Sequence, residues 1–98
     1  MPPEAQAVVD LLRVLLKATA GRHGVAPKLI ATSDELEEIA RSDDTDAPVL
    51  RGWRRKLFGD DALALKRGEL ALVIRKGEVA VLPAEQPEQK REQQAHED

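Results

Sequence analysis

Asp60-Asp61-Ala62-Leu63-Ala64-Leu65-Lys66-Arg67-Gly68-Glu69-Leu70-Ala71-Leu72-Val73-Ile74-Arg75-Lys76-Gly77-Glu78-Val79-Ala80-Val81-Leu82 contains the change of period that decides the fold. Up to Arg67 the apolar residues follow a helical spacing, with Asp60 placed to cap the start and Gly68 to stop the end. After Gly68 the period becomes two: Leu70, Leu72 and Ile74 alternate with Ala71, Val73 and Arg75. Val79 to Leu82 is a second β-prone run across Lys76-Gly77, and a hairpin turned at that dipeptide is expected. A helix continued through Ile74 is the competing reading.

Upstream of this stretch the chain reads as short helices with tight joints. From Glu4 to about Ala20, Val8, Leu12, Leu15 and Leu16 define an apolar side, while Val9, Leu11 and Val14 spill around it. This helix should end near Gly21 or Gly24. Pro27 suits the first turn of a short helix reaching Ile30. Thr32 and Glu35 have capping-box spacing, so a helix should run from Ser33 to Arg41 with Leu36, Ile39 and Ala40 inward. Its acids, Asp34, Glu35, Glu37 and Glu38, favour a helix N-terminus and need no functional explanation. A polar connection over 42–47 leads to Pro48. A basic helix, Arg51-Gly52-Trp53-Arg54-Arg55-Lys56-Leu57-Phe58, then stops at Gly59. The expectation is a mainly α fold, a compact bundle of four to five short helices with a C-terminal β-hairpin over 1–83, followed by a disordered tail over 84–98.

Ninety-eight residues allow one modest core. Aromatics are only 2% of the chain, so Leu, Val, Ile and Ala must build that core around Trp53 and Phe58. Without cysteine there is neither a disulfide framework nor a thiolate metal site. Asp10, Arg13 and Lys17 break the longest apolar stretch well short of the roughly 18 residues of a membrane span. The first acids precede the first base, unlike a signal peptide, and a cytoplasmic protein with no membrane partner is expected.

The net charge of −3 conceals a segregation. Residues 1–50 carry −4, residues 51–82 carry +4, and residues 83–98 carry −3. The candidate nucleic-acid-binding residues are therefore Arg51, Trp53, Arg54, Arg55, Lys56, Lys66 and Arg67, joined by Arg75 and Lys76 if the fold gathers them. Their cations would neutralise phosphates without reading sequence, and Trp53 could stack on an unpaired base. The competing readings are a solvated helix face for the cations and a core position for Trp53, packed with Leu57 one turn on. Phe58 belongs in the core. Asp43, Asp44 and Asp46 lack the glycine and glutamate register of an EF-hand and read as a solvated loop. His23 and His96 have no partners at metal-ligand spacing. Phosphate-binding glycine loops and the G-x-S-x-G nucleophile motif are absent, so no catalytic centre and no cofactor are expected.

The central wording resembles a known family. Gly24-Val25-Ala26-Pro27-Lys28-Leu29-Ile30-Ala31-Thr32 with Asp34-Glu35-Leu36-Glu37 is similar to the first half of an HRDC domain, the helicase-and-RNase-D C-terminal module. Gly52-Trp53-Arg54-Arg55-Lys56-Leu57-Phe58-Gly59 with Ala62-Leu63-Ala64-Leu65 looks like its second half. Over roughly residues 8–82 the chain resembles the C-terminal region of alphaproteobacterial ribonuclease D, a 3′-5′ exoribonuclease. The departure is at the end, because the general HRDC pattern finishes in helix and this chain in strands.

In that family the chemistry belongs to a separate domain whose clustered carboxylates hold two divalent metal ions. Its D-x-E motif is absent here. The resemblance thus implies a non-catalytic accessory domain, monomeric, with RNA or another single-stranded nucleic acid and a catalytic exonuclease domain, in cis or in trans, as partners. A protein-docking module using helix 1 and the hairpin edge, with no nucleic-acid binding, is the alternative. Whether the chain is an excised domain or a separate gene product stays open.

Overall fold

A computed structural model of the chain describes residues 2–42 and 44–84. The tail expectation, apart from Ala84, falls outside the described residues. Helix α1 spans Pro3–His23, α2 Pro27–Ile30 and α3 Ser33–Arg41; a 3₁₀ turn, Pro48–Leu50, precedes α4, Gly52–Arg54. A π-helical turn, Arg55–Gly59, joins α4 to α5, Asp60–Lys66, and the chain ends in strands β1, Leu70–Arg75, and β2, Glu78–Pro83. The fold is mainly helical with a C-terminal two-stranded antiparallel hairpin.

Each helix starts and stops for a local reason. The Thr32 hydroxyl accepts from the Glu35 N–H at 3.2 Å, while the Glu35 carboxylate accepts from the Thr32 N–H at 2.9 Å, so the capping box is complete. The second Glu35 oxygen accepts from the Val49 N–H at 3.0 Å and ties the 3₁₀ turn to α3. Glu37 pairs with Arg41 within α3, and Glu38 accepts from the Thr45 hydroxyl of the connection that follows, so both acids have structural partners. At the end of α1 the Val25 N–H reaches the Ala20 carbonyl and the Gly24 N–H the Gly21 carbonyl. The same pair of bonds, Glu69 to Ala64 and Gly68 to Leu65, ends α5. Both are Schellman closures, which satisfy carbonyls that a helix end leaves unpaired.

The stop expected at Gly59 is absent. Gly59 (φ −56°, ψ −45°) and Asp60 (φ −63°, ψ −41°) are helical, so the backbone runs unbroken over 52–66. Inside it, the Asp60 N–H bonds to the Arg55 carbonyl five residues back, the mark of a π-helical turn. Asp60 is consequently not a cap, and its carboxylate accepts from Arg55 Nε at 2.7 Å. Glycine is required at 59 for another reason: a Cβ there would lie 2.6 Å from the Val49 carbonyl oxygen. The helix packs its backbone directly on the 3₁₀ turn.

The core joins α1, α3, the 3₁₀ turn, the π turn and α5. Phe58, Leu12, Leu15, Ile30, Leu36 and Ile39 are completely or almost completely buried. On α1 Leu12, Leu15 and Leu16 face inward as expected, but Val9 is buried and Val8 only half so, while Leu11 and Val14 face outward. Ala40 is half-buried beside the core. Among the described residues Thr19 is the one buried polar side chain, and its hydroxyl accepts from Arg22 at 3.4 Å.

The hairpin pairs Leu70 with Pro83, Leu72 with Val81 and Ile74 with Val79. Lys76 (φ 54°) and Gly77 (φ 81°) both take positive φ, the type I′ geometry that follows the natural twist of the strands. The helical alternative for this segment is excluded. Leu70, Leu72 and Val81 pack on the core, whereas Ile74, further along the same strand face, projects beyond it and is 77% exposed.

Candidate nucleic-acid interface

The basic segment begins at Arg51, which precedes α4 in extended conformation. Its guanidinium donates to the Asp46 carboxylate at 2.8 Å and to the Asp46 carbonyl at 2.6 Å, tying Asp46 to the helix start. Asp46 is thereby accounted for, while Asp43 falls outside the described residues. Arg55 donates to Asp60 and, at 3.3 Å, to the Leu50 carbonyl. Arg54 points another way: its Nε donates to the Leu29 carbonyl at 3.0 Å, linking α4 to α2. Lys56 is exposed and makes no ion pair among the described residues.

Trp53 contradicts the core reading. It is 51% exposed, and the Arg54 guanidinium lies over its ring, 4.7 Å from the centroid. Cation and ring hold one another as a flat, charged surface. The reason lies in the helix phase. Phe58 and Ala62 take the inward positions, leaving Leu57 half-buried and Trp53 at the outer start of the helix. The core therefore contains Phe58 as its one aromatic.

Nine sequence-predicted residues do not form a single patch. Arg51, Trp53, Arg54, Arg55 and Lys56 cluster at the start of the 52–66 helix. Lys66 and Arg67 lie at its far end, about 15 Å along a helix rising about 1.5 Å per residue. Arg75 and Lys76 are at the hairpin tip, about 17 Å along β1 from Leu70 at about 3.4 Å per residue. The structure adds a residue that division of the chain by charge leaves out. Lys28 of α2 lines, with Arg54, Thr32, Glu35 and Pro48, an open depression of about 450 Å³. Its signal was absent because residues 1–50 are acidic in sum.

The acids beside these cations are weak competitors. The Arg51–Asp46 and Arg55–Asp60 pairs are well exposed, and such pairs are worth about 0–1 kcal/mol each. A phosphate group can displace either carboxylate at little cost. Chemically, the cluster offers phosphate neutralisation and an aromatic stacking face; among the described residues no three His, Asp or Glu side chains converge as a metal site. No described helix is long and apolar enough to cross a membrane.

The chain is 62% identical over 73 residues to ribonuclease D of Nitrobacter hamburgensis, a match covering 74% of this chain and 19% of that protein. The chain matches one segment of ribonuclease D. Ribonuclease D of Granulibacter bethesdensis is 53% identical over 68 residues, and that of Gluconacetobacter diazotrophicus 46% identical over 83, covering 85% of this chain. The chain spans about a fifth of the length of these curated ribonuclease D relatives. No family model matches the chain, and no solved structure matches it.

Proposed function

We propose that this chain is an HRDC-like, non-catalytic accessory module of a ribonuclease D-type 3′-5′ exonuclease, which binds RNA through phosphate contacts and presents it to an active site carried elsewhere. The observation that carries the reading is the half-exposed Trp53 under the Arg54 guanidinium at the start of a helix bearing Arg55 and Lys56. A chain this poor in aromatics gains little from leaving its one tryptophan in water unless a partner covers it. Similarity to ribonuclease D supports RNA as that partner. The absence of a D-x-E motif from the sequence supports a non-catalytic role. Two divalent metal ions would belong to the separate nuclease domain, where they would activate the attacking water and stabilise the leaving oxygen.

Binding of this kind releases counterions and is tolerant of base sequence. A fluorescence-polarisation titration of labelled single-stranded RNA in low salt is the test. The chain is expected to bind in the micromolar range, with Arg54→Ala/Arg55→Ala weakening affinity about tenfold. No binding at tens of micromolar, or affinity unchanged in the double variant, contradicts the reading.

A second reading is favoured by a different observation. Leu11 and Val14 of α1 (45% and 39% exposed) line an apolar depression with Ile74 and Val79 of the hairpin. Exposed apolar surface of this kind marks protein contact. Its occupant on this reading is the nuclease part of the same protein, and amide shifts confined to α1 and the hairpin on adding that part would identify it.

A further inference from the structure

Two depressions meet on the face of the molecule that α2 crosses. The first, about 370 Å³, lies between α1, α2 and α3, with Arg13, Lys17 and Lys28 around an apolar floor that includes Leu16 and Leu36. The second, about 450 Å³, carries Lys28 and Arg54. Lys28 and Thr32 line both, so the two depressions adjoin across these residues. Each has the size of a small-ligand site. Beyond Arg54 the surface continues onto the Trp53 ring, and Leu29, whose carbonyl accepts from Arg54, is 58% exposed.

We propose that Arg13, Lys17, Lys28, Arg54 and Trp53 form one track for single-stranded RNA, with the backbone following the cations around α2 and an unpaired base stacked on Trp53. The track rests on the RNA-binding reading above but places the strand over α1 and α2, away from Lys66 and Arg67. Its chemistry is that of a single-strand groove: phosphates meet cations, sugars and base edges meet an apolar floor, and a base meets an aromatic face. A duplex cannot use it, because its bases are already stacked.

Two acids border the track. Glu35 lines the second depression, but one of its oxygens accepts from the Thr32 N–H and the other from the Val49 N–H. Asp10 pairs with Arg13 at 3.5 Å in the open, where the bond is readily exchanged. Lys17, in contrast, makes no ion pair among the described residues, and neither does Lys28.

Trp53 is the only tryptophan, so its fluorescence reports the site directly. Titrating the full chain with a short oligouridylate in low salt is expected to quench that fluorescence to saturation. Lys17→Ala/Lys28→Ala is expected to weaken the apparent affinity about tenfold. Both lysines are exposed, and an unchanged thermal melt of the variant verifies that the fold is intact. The same strand in a duplex should quench weakly or not at all. RNA binding that leaves Trp53 unquenched, or an affinity that Lys17→Ala/Lys28→Ala does not change while Arg54→Ala/Arg55→Ala does, overturns the track and leaves the accessory-module reading standing. No binding of any strand overturns both.

Discussion

Replacing Phe58 with alanine is expected to remove about 3–5 kcal/mol of stability, the cost of emptying a fully buried aromatic position in a well-packed core. The magnitude matters because a domain of this size has about 4–12 kcal/mol in total, at about 0.05–0.15 kcal/mol per residue. Phe58 is fully buried in the core shared by α1, α3 and the 3₁₀ turn, and no second core aromatic can move into its space. At about 4–8 °C per kcal/mol for a chain this short, the melting temperature should fall by about 12–40 °C. Thermal unfolding followed by circular dichroism measures it. A fall of only a few degrees would mean that the core is not organised around this side chain.

Gly59→Ala is expected to destabilise the protein by up to about 2 kcal/mol net, the opposite sign from the same change in an open helix. Alanine at a free helical position gains about 1 kcal/mol over glycine. Here the added methyl would meet the Val49 carbonyl oxygen at 2.6 Å and Leu50 Cδ2 at 3.0 Å. A backbone oxygen cannot rotate away as a side chain does, so the helix must lift off the 3₁₀ turn, and overpacking of this kind costs about 1–3 kcal/mol. The lift would also strain the Val49 N–H bond to Glu35, which holds that turn to α3. In urea the midpoint should drop with little change in slope. A variant more stable than the parent would show that the close contact does not exist.

Features written in local chemistry were legible from the residues alone. Thr32 and Glu35 announce the start of α3 because a capping box needs only their spacing. The hairpin is readable from the period-two runs that flank Lys76-Gly77, with Gly77 suited to one of the two positive φ values, although a helix continued through Ile74 competes until Lys76 is seen to take the other. Features set by tertiary contact were not legible. Gly59 reads as a helix stop by propensity, yet it is there to let the 3₁₀ turn approach, and nothing near it in sequence reveals Val49. The apolar arc of α1 is visible, but its edge is set by what packs against it, and so Val9 and Val8 exchange roles.

The candidate site divides along the same line. Arg51, Arg54, Arg55 and Lys56 stand together in the chain, and their clustering at one helix end follows from that. The exposure of Trp53 does not follow, because composition alone favours a core place for a rare aromatic. Lys28 comes beside Arg54 through tertiary contact, including the Arg54 bond to the Leu29 carbonyl across 25 residues of chain.

The central claim, phosphate contact without base readout, is tested most directly by the salt dependence of single-stranded RNA affinity. With three to five phosphates neutralised, log K should fall linearly against log salt with a slope of about −2 to −3.5, at about −0.7 per phosphate, and with the same slope for uridine-rich and adenosine-rich strands. A slope near zero, or a slope that depends on base sequence, would contradict it.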